Sequence, residues 1–354
     1  MMERFVFAPL PGRVVFGAGT LDRLAEEVAG LGVRRALVLC TPEQRATAED
    51  VAQRLGAAAA GVYDRAVMHV PIEVAEAART HAAERGADGY VAVGGGSTIG
   101  LGKAIALVSG QPVIAVPTTY AGSEMTPIWG LTQHGEKTTG RDLRVLPRVV
   151  IYDPTLTVSL PPRLSGVSGM NAIAHCVEAL YAENGNPIAA LMAEEGIAAL
   201  AGSLPGIMAE PGRLDLRTRA LYGAWLAGSV LGAVGMALHH KLCHVLGGTL
   251  NLPHAETHTA VLPHAAAYNA AAAPDAMRRV ARALGAESAA QGLYDLANAL
   301  GAQTALRHLG MREEDIPRVA DLATANPYAN PAPVTRDGML ALLRNAWEGR
   351  RPDA

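Results

Sequence analysis

The feature that most constrains this chain is a change of pattern at Pro161-Pro162. Upstream, short apolar runs alternate with helical stretches. Residues 35–40, 90–93, 112–117 and 149–154 read as buried strands, and 46–55 as a helix. Strands that are apolar along their whole length and separated by helices predict a parallel sheet covered on both faces. Downstream, strand signals nearly vanish. Alanine-rich segments with helical spacing replace them at 172–181, 189–201, 216–238, 276–284 and 339–347. The expectation is an α/β nucleotide-binding domain over 1–160 and an all-α substrate domain over 161–354, with the double proline at the boundary. A length of 354 residues has room for two ordinary cores. Residues 350–354 are expected to fray.

Composition removes several function classes. Formal net charge is -3 and no lysine- or arginine-rich run stands out, which argues against nucleic-acid and membrane-surface partners. Residues 1–16 lack the apolar stretch of a signal peptide. Apolar runs elsewhere are broken by glycine, proline or charge short of a membrane span. Cys40, Cys176 and Cys243 are widely spaced and odd in number, so they read as reduced thiols in a cytoplasmic protein. Cys243 reads as a small buried hydrophobe.

Gly94-Gly95-Gly96-Ser97 follows the strand at 90–93 and precedes a helical stretch at 98–108. Strand, glycine turn and helix start present backbone N–H groups to an anion. The same pattern also fits an ordinary strand-to-helix turn, and no GxGxxG motif is present. Pro117-Thr118-Thr119-Tyr120-Ala121-Gly122-Ser123 follows the next strand. Two consecutive strands ending in such loops point to one nucleotide crevice at the carboxyl end of a sheet. The strand at 36–40 ends at Thr41 rather than at an acidic residue, so a 2′-phosphate would not be repelled there, and use of both NADH and NADPH is expected.

Seven of the eleven histidines lie between positions 175 and 264. His240 and His244 are spaced i, i+4, as are His254 and His258, and Asn171 precedes His175 by four. On helices each pair shares one face. Three converging pairs would make either a metal site or a proton-donating, anion-binding pocket. His69, His81, His134 and His308 read as structural. His239 reads as a residue behind the site, and His264, after Pro263, as one that orients a turn.

Together these residues resemble the iron-containing alcohol dehydrogenase superfamily. The resemblance rests on Arg13-Val14-Val15-Phe16-Gly17-Ala18-Gly19, the glycine loop, Pro117-Thr118-Thr119 and the spaced histidines, and it runs nearly the whole chain. It implies a dehydroquinate synthase-like fold, an N-terminal nucleotide domain with a C-terminal helical domain. In metal-dependent members an Asp and three His hold Fe²⁺ or Zn²⁺. The matching positions are Asn171, His175, His240 and His254, so the acidic ligand is an amide here. Gly100 also stands where such members often carry Asp. Both departures, with Met170-Asn171-Ala172-Ile173-Ala174-His175, His239-His240-Lys241-Leu242-Cys243-His244 and Leu252-Pro253-His254-Ala255-Glu256-Thr257-His258, resemble the maleylacetate reductase branch.

That branch implies NADH- or NADPH-dependent reduction of a small dicarboxylate enone in aromatic-compound degradation, by a homodimer without a tightly bound metal. The residues expected to carry catalysis are Asn171, His175, His240, His244 and His254, with protonated imidazoles attracting the dianion. Lys241 and His258 are expected to bind substrate carboxylates. Thr41, Gly94, Gly95, Gly96, Ser97, Thr118, Thr119 and Lys137, the last in a loop at 133–141, are expected to bind the cofactor. The competing readings are a metal-dependent alcohol or polyol dehydrogenase, a lyase resembling dehydroquinate synthase, and a non-enzymatic nucleotide-binding protein.

Overall fold

The computed structural model describes residues 5, 7, 9, 10, 12–133 and 136–353, those at 136 and 137 by backbone alone. His134 lies outside the described residues. The chain divides into two compact units, Pro9–Leu160 and one containing Pro161–Ala354.

The first unit has strands β1 (Arg13–Phe16), β2 (Ala36–Leu39), β3 (Ala59–Tyr63), β4 (Gly89–Gly94), β5 (Val113–Pro117), β6 (Ile128–Gln133), β7 (Glu136–Arg141) and β8 (Val149–Tyr152). Its helices are α1 (Leu24–Gly30), α2 (Arg45–Leu55), α3 (Ile72–Glu84) and α4 (Gly96–Ser109). Six strands form a parallel sheet in the order β1-β8-β5-β4-β2-β3. Val38, Val91, Val93, Ile114, Val116 and Ile151 form the core on one face of it. Burying a β-branched side chain contributes about 1.5–3 kcal/mol, which is why these strands carry no polar alternation. The segment at 133–141, expected as a loop, instead supplies β7, which pairs antiparallel with β6. Most of its described side chains are polar, so no apolar period marks it as a strand.

The second unit contains α5 (Pro162–Ala179), α6 (Pro187–Ala209), α7 (Leu214–Ala233), α8 (Leu238–Leu250), α9 (His254–Asn269), α10 (Pro274–Leu284), α11 (Ala289–Ala299), α12 (Ile316–Thr324) and α13 (Arg336–Glu348). Leu238, Leu242, Leu246, Val261 and Leu343 lie in its core. The single helix expected over 216–238 breaks after Ala233, and α8 leaves at 93° to α7. This break exposes the first-turn N–H groups of α8, which the site uses.

Three further expectations are corrected. Helix α6 is long and apolar enough to cross a membrane by length and composition, because the helix runs on through Glu194 and Glu195. It packs on α5, α7 and α10, and Glu194 pairs with Arg279 at 2.8 Å and also with Arg282. Pro263 sits inside α9, so His264 belongs to a helix rather than to a turn. The C-terminal tail is tied down through residue 352: Arg351 pairs with Asp295 at 2.7 Å, and Gln291 Nε2 donates to the Pro352 carbonyl at 3.1 Å.

Candidate active site

In the sheet unit, β4 ends at Gly94 (φ 152°) and Gly95 caps α4 without a side-chain hydrogen bond. A Cβ on Gly94 would lie 2.5 Å from Gln44 Oε1 and Thr98 Oγ1, and one on Gly95 would lie 2.9 Å from the Thr119 side chain. Only glycine lets the backbone occupy this cradle. The amides of Gly96 and Ser97 lack intrahelical partners and stand at the positive end of α4, a fit for a pyrophosphate. Thr118 N donates to the Gly94 carbonyl at 3.1 Å, and Gln44 Nε2 donates to Thr118 Oγ1 at 2.6 Å. The order β5-β4-β2 brings Thr118 and Thr119, Gly94 and Gly95, and Thr41 to the carboxyl ends of three adjacent strands. These residues fit a nicotinamide dinucleotide. Lys137 lies in β7, and its side chain falls outside the described residues.

Beneath that loop, Lys103 on α4 is fully buried. Its ammonium donates to Ser123 O, Thr126 Oγ1 (3.0 Å) and Ile128 O (2.9 Å). Glu124, also buried, accepts from Tyr152 Oη at 2.8 Å. Burial pulls Lys103 down to about 7, opposed by the Glu124 charge, and pushes Glu124 up. Sequence reading missed both. Their one signal is a lone lysine in an otherwise apolar helix.

In the helical unit six imidazoles meet. Ring centroids are 5.0 Å apart for His175–His240, 6.3 Å for His240–His244, 4.9 Å for His240–His258, 4.8 Å for His239–His258 and 4.2 Å for His254–His258. His244 and His254 are exposed, while His175, His239, His240 and His258 are buried behind them. Asn171, one turn before His175 on α5, is buried and its Oδ1 has no hydrogen-bond partner among the described residues. Lys241 holds its ammonium 5.9 Å from the Tyr328 ring centre.

Glu178 organises the cluster, and sequence reading did not single it out. It lies three residues after His175 on α5 and is fully buried. Its carboxylate accepts from the first-turn amides of α8: Ala237 N at 2.9 Å, His239 N at 2.7 Å and His240 N at 3.4 Å. It also meets His240 Nδ1 at 2.7 Å and Tyr181 Oη at 3.5 Å. Burial pushes its carboxyl up, and His239 and the peptide donors oppose this. A site with five donors and no acceptor is built for a carboxylate. Carboxylate oxygens only accept, so His240 Nδ1 carries the proton and Nε2 keeps a bare lone pair, which has no partner among the described residues.

Two expectations fail here. Burial, reinforced by the neighbouring imidazoles, holds His175, His240 and His258 well below the ordinary 6.5, so they are neutral at pH 7 rather than cationic. His258 is 0 % exposed, too deep to bind a substrate carboxylate. The family's metal positions also do not assemble. Among the described residues, the one group of three His, Cys, Asp or Glu with ligand atoms within 4.8 Å of each other is His239, His240 and His258. Asn171 brings no charge to offset a divalent cation and is a poorer ligand than an Asp, which weakens the set Asn171, His175, His240 and His254 as a metal site.

The chain matches two family models, "Iron-containing alcohol dehydrogenase" over residues 11–154 and "Fe-containing alcohol dehydrogenase family, C-terminal" over 166–347. It is 59% identical to a maleylacetate reductase of Burkholderia cepacia over 99% of this chain and 100% of that one. It is 58% identical to a maleylacetate reductase of Sphingobium indicum over 99% of each. The crystal structure of maleylacetate reductase from Agrobacterium tumefaciens superposes with a TM-score of 0.96 at 52% identity, covering 99% of this chain and 100% of the other. With both halves matched in order, the chain belongs to the iron-containing alcohol dehydrogenase family.

Proposed function

We propose that this chain reduces 2-maleylacetate to 3-oxoadipate with NADH or NADPH. It is an oxidoreductase of the iron-containing alcohol dehydrogenase family. The observation that carries the reading is the full-length likeness to maleylacetate reductases in a chain whose acidic metal position is Asn171. In this reading residues 1–160 hold the cofactor, residues 161–354 act on a small dicarboxylate, and the enzyme works as a cytoplasmic homodimer.

The bound nicotinamide supplies a hydride to the activated C=C. Charge then gathers on the conjugated carbonyl oxygen, and a proton must arrive. Glu178 fixes His240 with Nδ1–H inward, so Nε2 is the atom that takes a proton from solvent and passes it to the enolate left by hydride addition, the transient cation being offset by the carboxylate. Asn171 offers amide N–H groups beside His175. The exposed imidazoles His244 and His254 receive the substrate, and Lys241 offers a carboxylate partner. His258 is left out for its depth.

The expected outcome with chelator-treated protein is NADH oxidation by maleylacetate at the untreated rate. Lost turnover restored by Fe²⁺ or Zn²⁺ would overturn the metal-free assignment. Titrating both cofactors should give similar kcat/KM values, since Thr41 brings no acidic side chain to the end of β2. A strong preference for NADH would sink that expectation.

A further inference from the structure

A pocket of about 1150 Å³ opens in the helical unit between the C-terminal part of α9, α10, the start of α11, α13 and the tail at 350–353. No residue of the candidate active site lines it. His264, which does, stands ten residues after His254 on α9, roughly 15 Å along the helix.

The lining combines an apolar floor with groups that attract an anion. Met277, Ala281, Ala289, Ala290 and Leu342 are its buried side chains. Three of them are alanine, whose single methyl groups leave room for a ring. Helix α11 begins at this floor. Its N-cap, Ser288, has extended backbone and makes no side-chain cap hydrogen bond. The first bond of that helix runs from Gly292 N to Ser288 O at 2.9 Å, so the amides of Ala289, Ala290 and Gln291 lack intrahelical partners at its positive end.

Arg278, Arg282, Arg350 and Arg351 line the pocket against two carboxylates, Glu287 and Asp353. Arg351 is fixed by contacts of 2.9 and 2.7 Å to Asp295. Arg278 pairs with Asp275 and Arg350 with Glu348. Arg282 shares Glu194 with Arg279, so one carboxylate answers two guanidinium groups and Arg282 keeps charge to spare. The remaining polar group is His264, 4 % exposed, whose Nε2 has no partner among the described residues. Burial pulls this imidazole down to about 4, so at pH 7 it brings hydrogen-bonding capacity and no charge. Unused donors above a floor of methyl groups suit an anion with an apolar body, and a rigid ring loses the least freedom on binding.

We propose that this pocket binds an aromatic carboxylate, its carboxylate drawn to the α11 amides and Arg282 and its ring laid on the alanines of α10 and α11. The site is separate from the reaction proposed above and does not rest on it.

The probe is 2-naphthoate in isothermal titration calorimetry, on the full chain with saturating NAD⁺ to fill the glycine cradle. The expected result is one equivalent bound, with inorganic phosphate and acetate failing to displace it. Affinity should fall about 10-fold or more in Arg282→Ala and in His264→Leu, each of which removes a hydrogen bond to a charged group. Ala341→Trp fills the pocket from an exposed lining position and should abolish binding. Arg282 and Ala341 are both exposed, so their variants should keep the wild-type Tm and NADH oxidation even if the His264 variant fails to fold. Absence of stoichiometric binding would overturn the site. So would wild-type affinity in the Arg282 and Ala341 variants, which would place the bound carboxylate elsewhere. Displacement by phosphate or acetate as effective as by unlabelled 2-naphthoate would overturn the role given to the ring.

Discussion

His240→Ala lowers kcat for maleylacetate reduction by about two to four orders of magnitude, the usual contribution of a positioned acid or base. The chain still folds, because alanine is the strongest helix former and the other contacts of α8 with Glu178 run through peptide N–H groups. The variant loses the 2.7 Å contact between His240 Nδ1 and Glu178, and with it the one proton-carrying nitrogen held in a fixed tautomer. Cofactor binding is untouched, since the glycine cradle belongs to the other unit. Steady-state NADH oxidation with saturating maleylacetate measures kcat, and fluorescence titration measures NADH affinity. Glu178→Gln should give a smaller fall in kcat with KM for maleylacetate little changed, the pattern of a residue that orients His240 without touching substrate. Wild-type turnover in His240→Ala would remove this histidine from the chemistry.

The four central strands β8, β5, β4 and β2 were legible because they are buried on both faces, while the half-exposed edge strands β1 and β3 were not read. Residues such as Val91, Val93, Ile114 and Val116 leave no room for polar alternation, and periodicity alone identifies them. The hairpin of β6 and β7 was not legible. Thr132, Gln133, Glu136, Lys137, Thr138 and Thr139 carry no apolar period, so nothing local distinguishes their strands from a loop. In the candidate site, helical spacing correctly grouped His240 with His244 and His254 with His258, because i, i+4 geometry is local. Depth was not legible. That His258 is buried and His254 exposed depends on what packs over α9, not on α9 itself. Glu178 illustrates the same limit. On an isolated helix it reads as one more surface carboxylate. Its role appears only when the break after Ala233 aims the first turn of α8 at it from 59 to 62 residues away.

The lysine under the cofactor loop carries the largest expected effect on stability. Lys103→Met keeps the length and apolar stem of the side chain and removes only its charge and donors. Ser123 O, Thr126 Oγ1 and Ile128 O then lose a buried partner, and Glu124 loses the cation that opposes its desolvation. Removing one member of a buried ionic group costs about 3–5 kcal/mol, because an uncompensated charge stays behind. For a unit of some 150 residues this corresponds to a Tm lower by roughly 6–20 °C. The loop at 118–127 carries Thr118 and Thr119, so its loosening should also raise the KM for NADH. Adding Glu124→Gln removes the stranded charge, and the double variant should recover part of the lost stability, a coupling that independent sites do not show. Thermal unfolding by circular dichroism of the wild type, both single variants and the double variant decides the matter. A Lys103→Met variant that melts with the wild type, or a double variant no more stable than Lys103→Met, would mean that this buried lysine holds nothing the fold requires.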